Sequence, residues 1–240
     1  MPRLLRNYLP GYVWHITHRC HKKEFLLKFE KDRKEWIKWL FESKKRFGLS
    51  VYNYMVTSNH IHLLVKSNDE TDISKSMQLI AGTTAQNYNN RKNRKGAYWE
   101  NRYHATAIED GEHLLKCMIY IDMNMVRAGV VKHPSQWDEC GFKEILTPRK
   151  RYGIINHDGL LNSLELNSMA ELRERYPRWL DETLHDDRIQ REEIWSNSIA
   201  VGSRDYVEGI QAALGIDAIS RKIEDHEGFS QLCEPESPYD

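Results

Sequence analysis

From residue 11 the chain reads GYVWHITHR, in which apolar and polar side chains alternate among aromatic and β-branched types. A period of two with that composition predicts a half-buried strand. The pattern then changes. In EKDRKEWIKWLFESKKRFG, residues 30–48, Trp36, Trp39, Leu40 and Phe47 mark one apolar side and charged residues cover the rest, which predicts a helix closed by Gly48. LSVYNYMV (49–56) and HIHLLVK (60–66) return to strand composition, and the tight turn TSN between them predicts a hairpin. Residues 71–92 predict a helix with Thr71 or Asp72 as N-cap. HATAI (104–108) predicts a short strand, and GEHLLKCMIYIDMNMVRAG (111–129) a helix closed by Gly129.

The order is β-α-β-β-α-β-α. Its first six elements fit a ferredoxin-like α+β plan, an antiparallel sheet with helices on one face. The pattern breaks around 145–160, where TPRKRYGIINHDG holds Pro148, Gly153 and Gly159. We therefore place a first domain at 1–146, a linker at 147–160 and a smaller, mostly helical region at 161–240. Helical patterns there are MAELRERYPRWLDETL, DRIQREEIWSNSIA and SRDYVEGIQAALG. The last, continued through IDAISRKI, has the length of a helix-turn-helix with Gly215 at the turn, and CEPESPYD ends the chain as an acidic tail.

Charge sharpens this division. The formal net charge is zero over 240 residues, yet residues 1–150 carry 26 Lys and Arg against 16 Asp and Glu, and residues 151–240 carry 9 against 19. A basic first part suits a polyanionic partner such as nucleic acid, although solvated basic surfaces are common. A net charge of −10 over the remainder argues against strong DNA binding there and suggests a packing or regulatory role, including competition with DNA for the basic part. No apolar run reaches the length of a membrane span, and the start has no secretory signal pattern. Cys20, Cys117, Cys140 and Cys233 form no CxxC pair, so reduced thiols and a cytoplasmic location are expected.

The chemistry concentrates in two places. His60 and His62 stand two apart on a predicted strand, so they face the same way while Ile61 faces apolar packing. Two such imidazoles can bind a divalent cation and leave positions open for substrate oxygens, or can be surface groups of a hairpin. Tyr120 and Asn124 are four apart on a predicted helix and share a face, with Arg127 near it. Asn124 offers a carbonyl oxygen as a third ligand. Tyr120 is either a core residue or a phenolic nucleophile, and a protonated phenol needs a base or an electrophilic target. His15, His18, Cys20 and His21 are dense in sequence, but on a strand they do not all face one way and fit no structural-zinc spacing.

Taken together, these segments resemble the single-tyrosine HUH transposases, and most of all their REP-associated branch. The resemblance rests on YMVTSN before His60-Ile61-His62, on YWENRYHATAI (98–108), on YIDMNMVRAGVV (120–131) and on HITHR in the first strand. It covers about residues 10–135. Met125 stands where the family usually has proline, and the Tyr–Asn spacing is intact.

The resemblance implies the HUH endonuclease fold and a metal-dependent strand transferase acting on single-stranded DNA at hairpins of repetitive extragenic palindromes. His60, His62 and Asn124 would hold Mg²⁺ or Mn²⁺, and Tyr120 would attack the scissile phosphate to give a 5′-phosphotyrosine. The expected DNA contacts are Arg19, Arg91, Lys92, Arg94, Lys95, Trp99, Arg102, Tyr103 and Arg127; Arg3 and Arg6 sit on an N-terminal arm that either reaches a groove or has no role. Relatives are monomers or homodimers. The competing expectations are a relaxase or replication-initiator nickase with the same chemistry, a metal-dependent hydrolase that activates water, and a non-catalytic hairpin-binding regulator.

Overall fold

The computed structural model describes residues 8–185, 192–215, 218 and 220–233. Arg3, Arg6 and the acidic tail after Cys233 lie outside the described residues. The first half follows the expected order closely: β1 (Val13–Arg19), α1 (Glu30–Phe47), β2 (Ser50–Val56), β3 (His60–Lys66), α2 (Asp72–Lys92), β4 (His104–Ile108) and α3 (Glu112–Asp122). The first four strands run antiparallel in the order β2-β3-β1-β4, the ferredoxin-like arrangement.

Local chemistry accounts for the boundaries. Trp36 and Leu40 of α1 are fully buried one turn apart, and Gly48 ends the helix in a left-handed conformation at φ 70°. The start of α2 is held from two residues further back than expected. Asp69 Oδ1 accepts the backbone N–H groups of Thr71 (2.6 Å) and Asp72 (2.9 Å), while Thr71 makes no side-chain cap.

The sheet is covered on both faces. The indole of Trp99 donates to the Ala81 carbonyl of α2 (3.0 Å) and stacks on His18, so α2 lies over the face that carries His18. Because strand side chains alternate, His15, Thr17, His60, His62 and Asn53 point to the other face, where α3 packs. The helix expected over 111–129 is interrupted. It stops at Asp122, and a single turn, α4 (Asn124–Arg127), resumes after Met123. No Gly or Pro lies inside that segment to signal the break.

The segment expected to be a linker is packed. After α5 (Phe142–Leu146), Ile154 and Ile155 are buried, and the buried carboxylate of Glu144 accepts both of their backbone N–H groups. Asn156 N–H donates to the Val51 carbonyl (2.7 Å), which anchors α6 (His157–Ser163) against β2. The helical pattern of 169–184 forms as α7 (Met169–His185).

Beyond it, strands appear that the pattern did not predict. A short α8 (Ile194–Asn197) leads directly into β5 (Ser198–Gly202), where a continuing helix was expected. After α9 (Arg204–Leu214), Ile223–His226 forms β6 in place of the second half of a helix-turn-helix, and Phe229–Cys233 forms β7. β5 pairs parallel with β4, so the sheet continues to seven strands in the order β2-β3-β1-β4-β5-β7-β6. No helix among the described residues is long and apolar enough to cross a membrane.

Candidate active site

Strand register assembles the site. Pairing of β1 with β3 sets Thr17 opposite His62 and Arg19 opposite His60, and pairing with β4 sets Thr17 opposite His104. His15 lies two residues before Thr17 on the same face, diagonal to His62. Across this face lie the end of α3 and the start of α4. Asn124 Nδ2 donates to His62 Nε2 at 2.9 Å. The Tyr120 ring stands edge-on to His62 with centroids 5.8 Å apart, and edge-on to His15 at 6.1 Å. Although the helix breaks between them, Tyr120 and Asn124 converge on the same histidine.

Arg127 fixes the tyrosine. Its guanidinium lies 4.3 Å from the Tyr120 ring centre and donates to the Tyr120 carbonyl at 2.6 Å. Tyr120 is 6% exposed, and that exposed part lines an open cleft of about 870 Å³ shared with His60, His62 and Asn124. Tyr120 therefore borders the cleft while most of its side chain is packed in the core.

The donor set suits a divalent cation. Asn59 Nδ2 donates to the Lys23 carbonyl (3.1 Å), which fixes its amide so that Oδ1 accepts from His60 Nδ1 at 2.8 Å. His62 Nδ1 faces His15 Nε2 at 2.9 Å, and its Nε2 accepts from Asn124. In both rings Nδ1 is engaged by the protein, which makes Nε2 the lone-pair nitrogen when the ring is neutral. Asn124 carries a donor nitrogen and an acceptor oxygen on one planar group, so it can hydrogen-bond His62 or present oxygen to a cation. Among the described residues no three His, Cys, Asp or Glu side chains form a metal-holding group, so a cation here would depend on that amide.

Two buried groups stiffen the arrangement. His15 is fully buried, and burial pulls its imidazole down to about 4, only partly offset by the hydrogen bond to the Trp195 carbonyl. It is neutral at pH 7. Asp122, between Tyr120 and Asn124 in sequence, accepts from Asn53 Nδ2 (2.9 Å) and from the Tyr176 hydroxyl (2.7 Å). Burial pushes its carboxyl up to about 7 against the pull of those two donors.

The expected DNA contacts separate into three groups. Arg19, Arg102 and Arg127 line the cleft. Arg91, Lys92, Arg94 and Lys95 lie at the end of α2 and in the loop after it, outside the cleft. Arg91 pairs with the buried Asp32, Arg94 with Glu24, and Lys92 lies 5.6 Å from the Phe29 ring centre. Trp99 and Tyr103 pack on His18, with centroids 4.1 and 6.1 Å away. The Trp99 ring is therefore engaged inside the fold instead of standing open for a base.

Several residues at or near the cleft were not among the expected site residues. His104 lines the cleft and bonds the Ser198 carbonyl at 2.9 Å. Glu193, Ser196 and Asn197 line it from the acidic C-terminal region. Phe25 and Phe29 are 65% and 53% exposed, and Lys28 and Lys92 lie over the Phe29 ring. Nothing local in sequence marks the C-terminal residues, because only the β4–β5 pairing brings them near. The exposed phenylalanines were visible as FLLKF, an apolar group broken by lysine.

Comparison with known proteins agrees with this geometry. Residues 10–124 match the family model described as IS200-like transposase. No curated protein matches the chain. A solved structure of a REP-associated tyrosine transposase bound to a REP hairpin superimposes with a TM-score of 0.52 at 20% identity, covering 62% of this chain and 87% of that one. A candidate transposase from Deinococcus radiodurans gives a TM-score of 0.35 at 14% identity, over 53% of this chain and 92% of the other. Histidine pair, tyrosine and asparagine all lie inside the matched segment, so over residues 10–124 the chain is similar to the IS200-like transposases at the residues that make the site.

Proposed function

We propose that this protein cleaves single-stranded DNA beside a hairpin and rejoins it to another end, with Tyr120 as nucleophile. The observation that carries this reading is the convergence of Tyr120, His60, His62 and Asn124 on one open cleft. Tyr120 attacks phosphorus through its hydroxyl oxygen, the bond from phosphorus to the 3′-oxygen breaks, and that oxygen leaves with a proton as a 3′-hydroxyl. The phosphoester is conserved as a 5′-phosphotyrosine. A 3′-hydroxyl attacking that bond reverses the step, so strand transfer needs no nucleotide cofactor. His60, His62 and Asn124 would hold Mg²⁺ or Mn²⁺, and two imidazoles favour Mn²⁺. When bound, the cation makes phosphorus more electrophilic by drawing charge from a non-bridging oxygen.

The remaining residues bind and orient. Arg127 holds the Tyr120 ring and carbonyl. Arg19 and Arg102 provide cations for the phosphates at the cleft wall. Outside the cleft, exposed Phe25 and exposed Phe29, the latter between Lys28 and Lys92, suit stacked, unpaired bases. A hairpin as the recognised element is an extension from the solved relative, which is bound to one. Competition of the acidic region with DNA is likewise a proposal. The lining residues Glu193, Ser196 and Asn197 support that competition.

The test is incubation of a hairpin-bearing single-stranded oligonucleotide with Mn²⁺ and protein, followed by a denaturing gel. A slow-migrating protein–DNA adduct is expected, and Tyr120→Phe should give none. A binding-only regulator gives a mobility shift without an adduct. A hydrolase cleaves without Tyr120.

A further inference from the structure

The protons on a buried pair of histidines can be placed from their partners alone. His15 is fully buried. Its Nδ1 lies 2.6 Å from the Trp195 carbonyl oxygen, which only accepts, so Nδ1 carries a proton. Its Nε2 lies 2.9 Å from His62 Nδ1, with the two rings within 9° of parallel. One of those two nitrogens carries the shared proton. If it were His15, a doubly protonated ring would sit in the core with a carbonyl and an imidazole as its hydrogen-bond partners and no carboxylate among them. If it is His62, both rings are neutral. An independent contact decides the same way, because Asn124 Nδ2 donates to His62 Nε2, which therefore presents a lone pair.

We infer that His15 is a positioning residue that holds His62 as its Nδ1–H tautomer, with the Trp195 carbonyl fixing His15 in turn. The consequence is directional. His62 Nε2 keeps its lone pair toward Asn124 and the cleft, the state a cation requires, and the ring cannot rotate without breaking a buried hydrogen bond. This deepens the proposed function and rests on it, since it names how one residue that would hold the cation is oriented. It also gives the C-terminal region a part in the site. Trp195 is 180 residues from His15, and its contribution is a backbone oxygen that no side-chain pattern could reveal.

The test uses the full chain, labelled with ¹⁵N-histidine and free of metal, near neutral pH. Two-bond ¹H–¹⁵N correlations report the tautomer of each ring, and His62→Gln identifies the His62 signals. The expected result is His62 protonated at Nδ1 and unprotonated at Nε2. His15→Leu removes the acceptor, so the His62 signals should move toward the Nε2–H form. Mn²⁺ affinity, read by electron paramagnetic resonance of free Mn²⁺, should fall about 10- to 100-fold, the range for loss of an orienting partner. His15→Gln, whose amide can accept and donate in the same positions, should retain most of the affinity. A wild-type His62 protonated at Nε2 overturns the inference, and so does Mn²⁺ affinity within about twofold of wild type in folded His15→Leu. Should His15→Leu fail to fold, the wild-type spectrum and His15→Gln decide. If the wild type binds no Mn²⁺, the metal-site reading fails, while the tautomer assignment stands or falls on the spectrum.

Discussion

Tyr176→Phe removes one hydroxyl from α7 and probes how the segment carrying Tyr120 and Asn124 is held. That hydroxyl donates at 2.7 Å to Asp122, the fully buried residue between Tyr120 and Asn124. Its loss leaves Asn53 as the remaining side-chain donor to the carboxyl. Burial raises Asp122 from 3.8 to about 7 in the folded state. A raised carboxyl favours the folded protein while protonated. Its contribution is complete below the unfolded value and is lost as pH climbs through about 7, with an upper bound of about 4 kcal/mol across that window. At about pH 5.5 the folded protein holds a neutral acid, and losing one neutral hydrogen bond costs about 1 kcal/mol. At about pH 8.5 the group is an anion, and the lost bond is worth about 2–3 kcal/mol. Urea unfolding at both pH values measures the difference. The penalty of Tyr176→Phe should grow by about 1 kcal/mol or more at the higher pH. An equal penalty at both values, or none, would refute the buried-carboxyl account.

Other perturbations have distinct outcomes. Burial lowers His15 to about 4, so the unfolded chain takes up this proton first as pH falls. Stability should drop by up to about 3 kcal/mol between about pH 6.5 and 4, and His15→Gln should flatten that decline in acid unfolding curves. Gly141→Ala drives a methyl into Asn53 Oδ1 and to 3.2 Å from the Tyr54 backbone nitrogen, and should lower stability by about 1–3 kcal/mol in the same assay. Replacing Phe25 and Phe29 together by alanine should weaken single-stranded DNA binding by about 1–3 kcal/mol per stacked base, measured by fluorescence anisotropy. Adduct yield at saturating DNA should be unchanged in that variant. Asn124→Ala should weaken Mn²⁺ binding by about tenfold or more in a metal titration while leaving the fold intact, since Asn124 is half-buried and its amide bonds the His62 ring among the described residues.

Much of the first half was readable from the chain because each element carries its own signal. β3 begins at His60 and ends at Lys66 as the alternation indicates, and Gly48 closes α1 where a left-handed residue was expected. The expected site residues that the fold gathers at one cleft, His60, His62, Tyr120 and Asn124, each stand at a short fixed spacing from a partner. What stayed hidden depends on long-range pairing. His15 is the clearest case. It lies near His18, Cys20 and His21 in sequence, but its partner His62 is 47 residues away and depends on a register that no local pattern encodes. β5 was read as helix because SNSIA follows a polar helical stretch, and the parallel edge of β4 decides otherwise. Trp99 was grouped with the basic loop as a DNA contact, and its ring is taken up by His18 and Ala81.

The central claim is that the Tyr120 phenol, reached through this cleft, becomes covalently joined to DNA. Proteolysis of the protein after reaction with a hairpin oligonucleotide and Mn²⁺, followed by mass spectrometry, locates the joined residue. A nucleotide mass on the peptide containing Tyr120, carried at that residue, is the predicted result. Cleaved DNA with an unmodified Tyr120 peptide, or a nucleotide on another tyrosine, would contradict it.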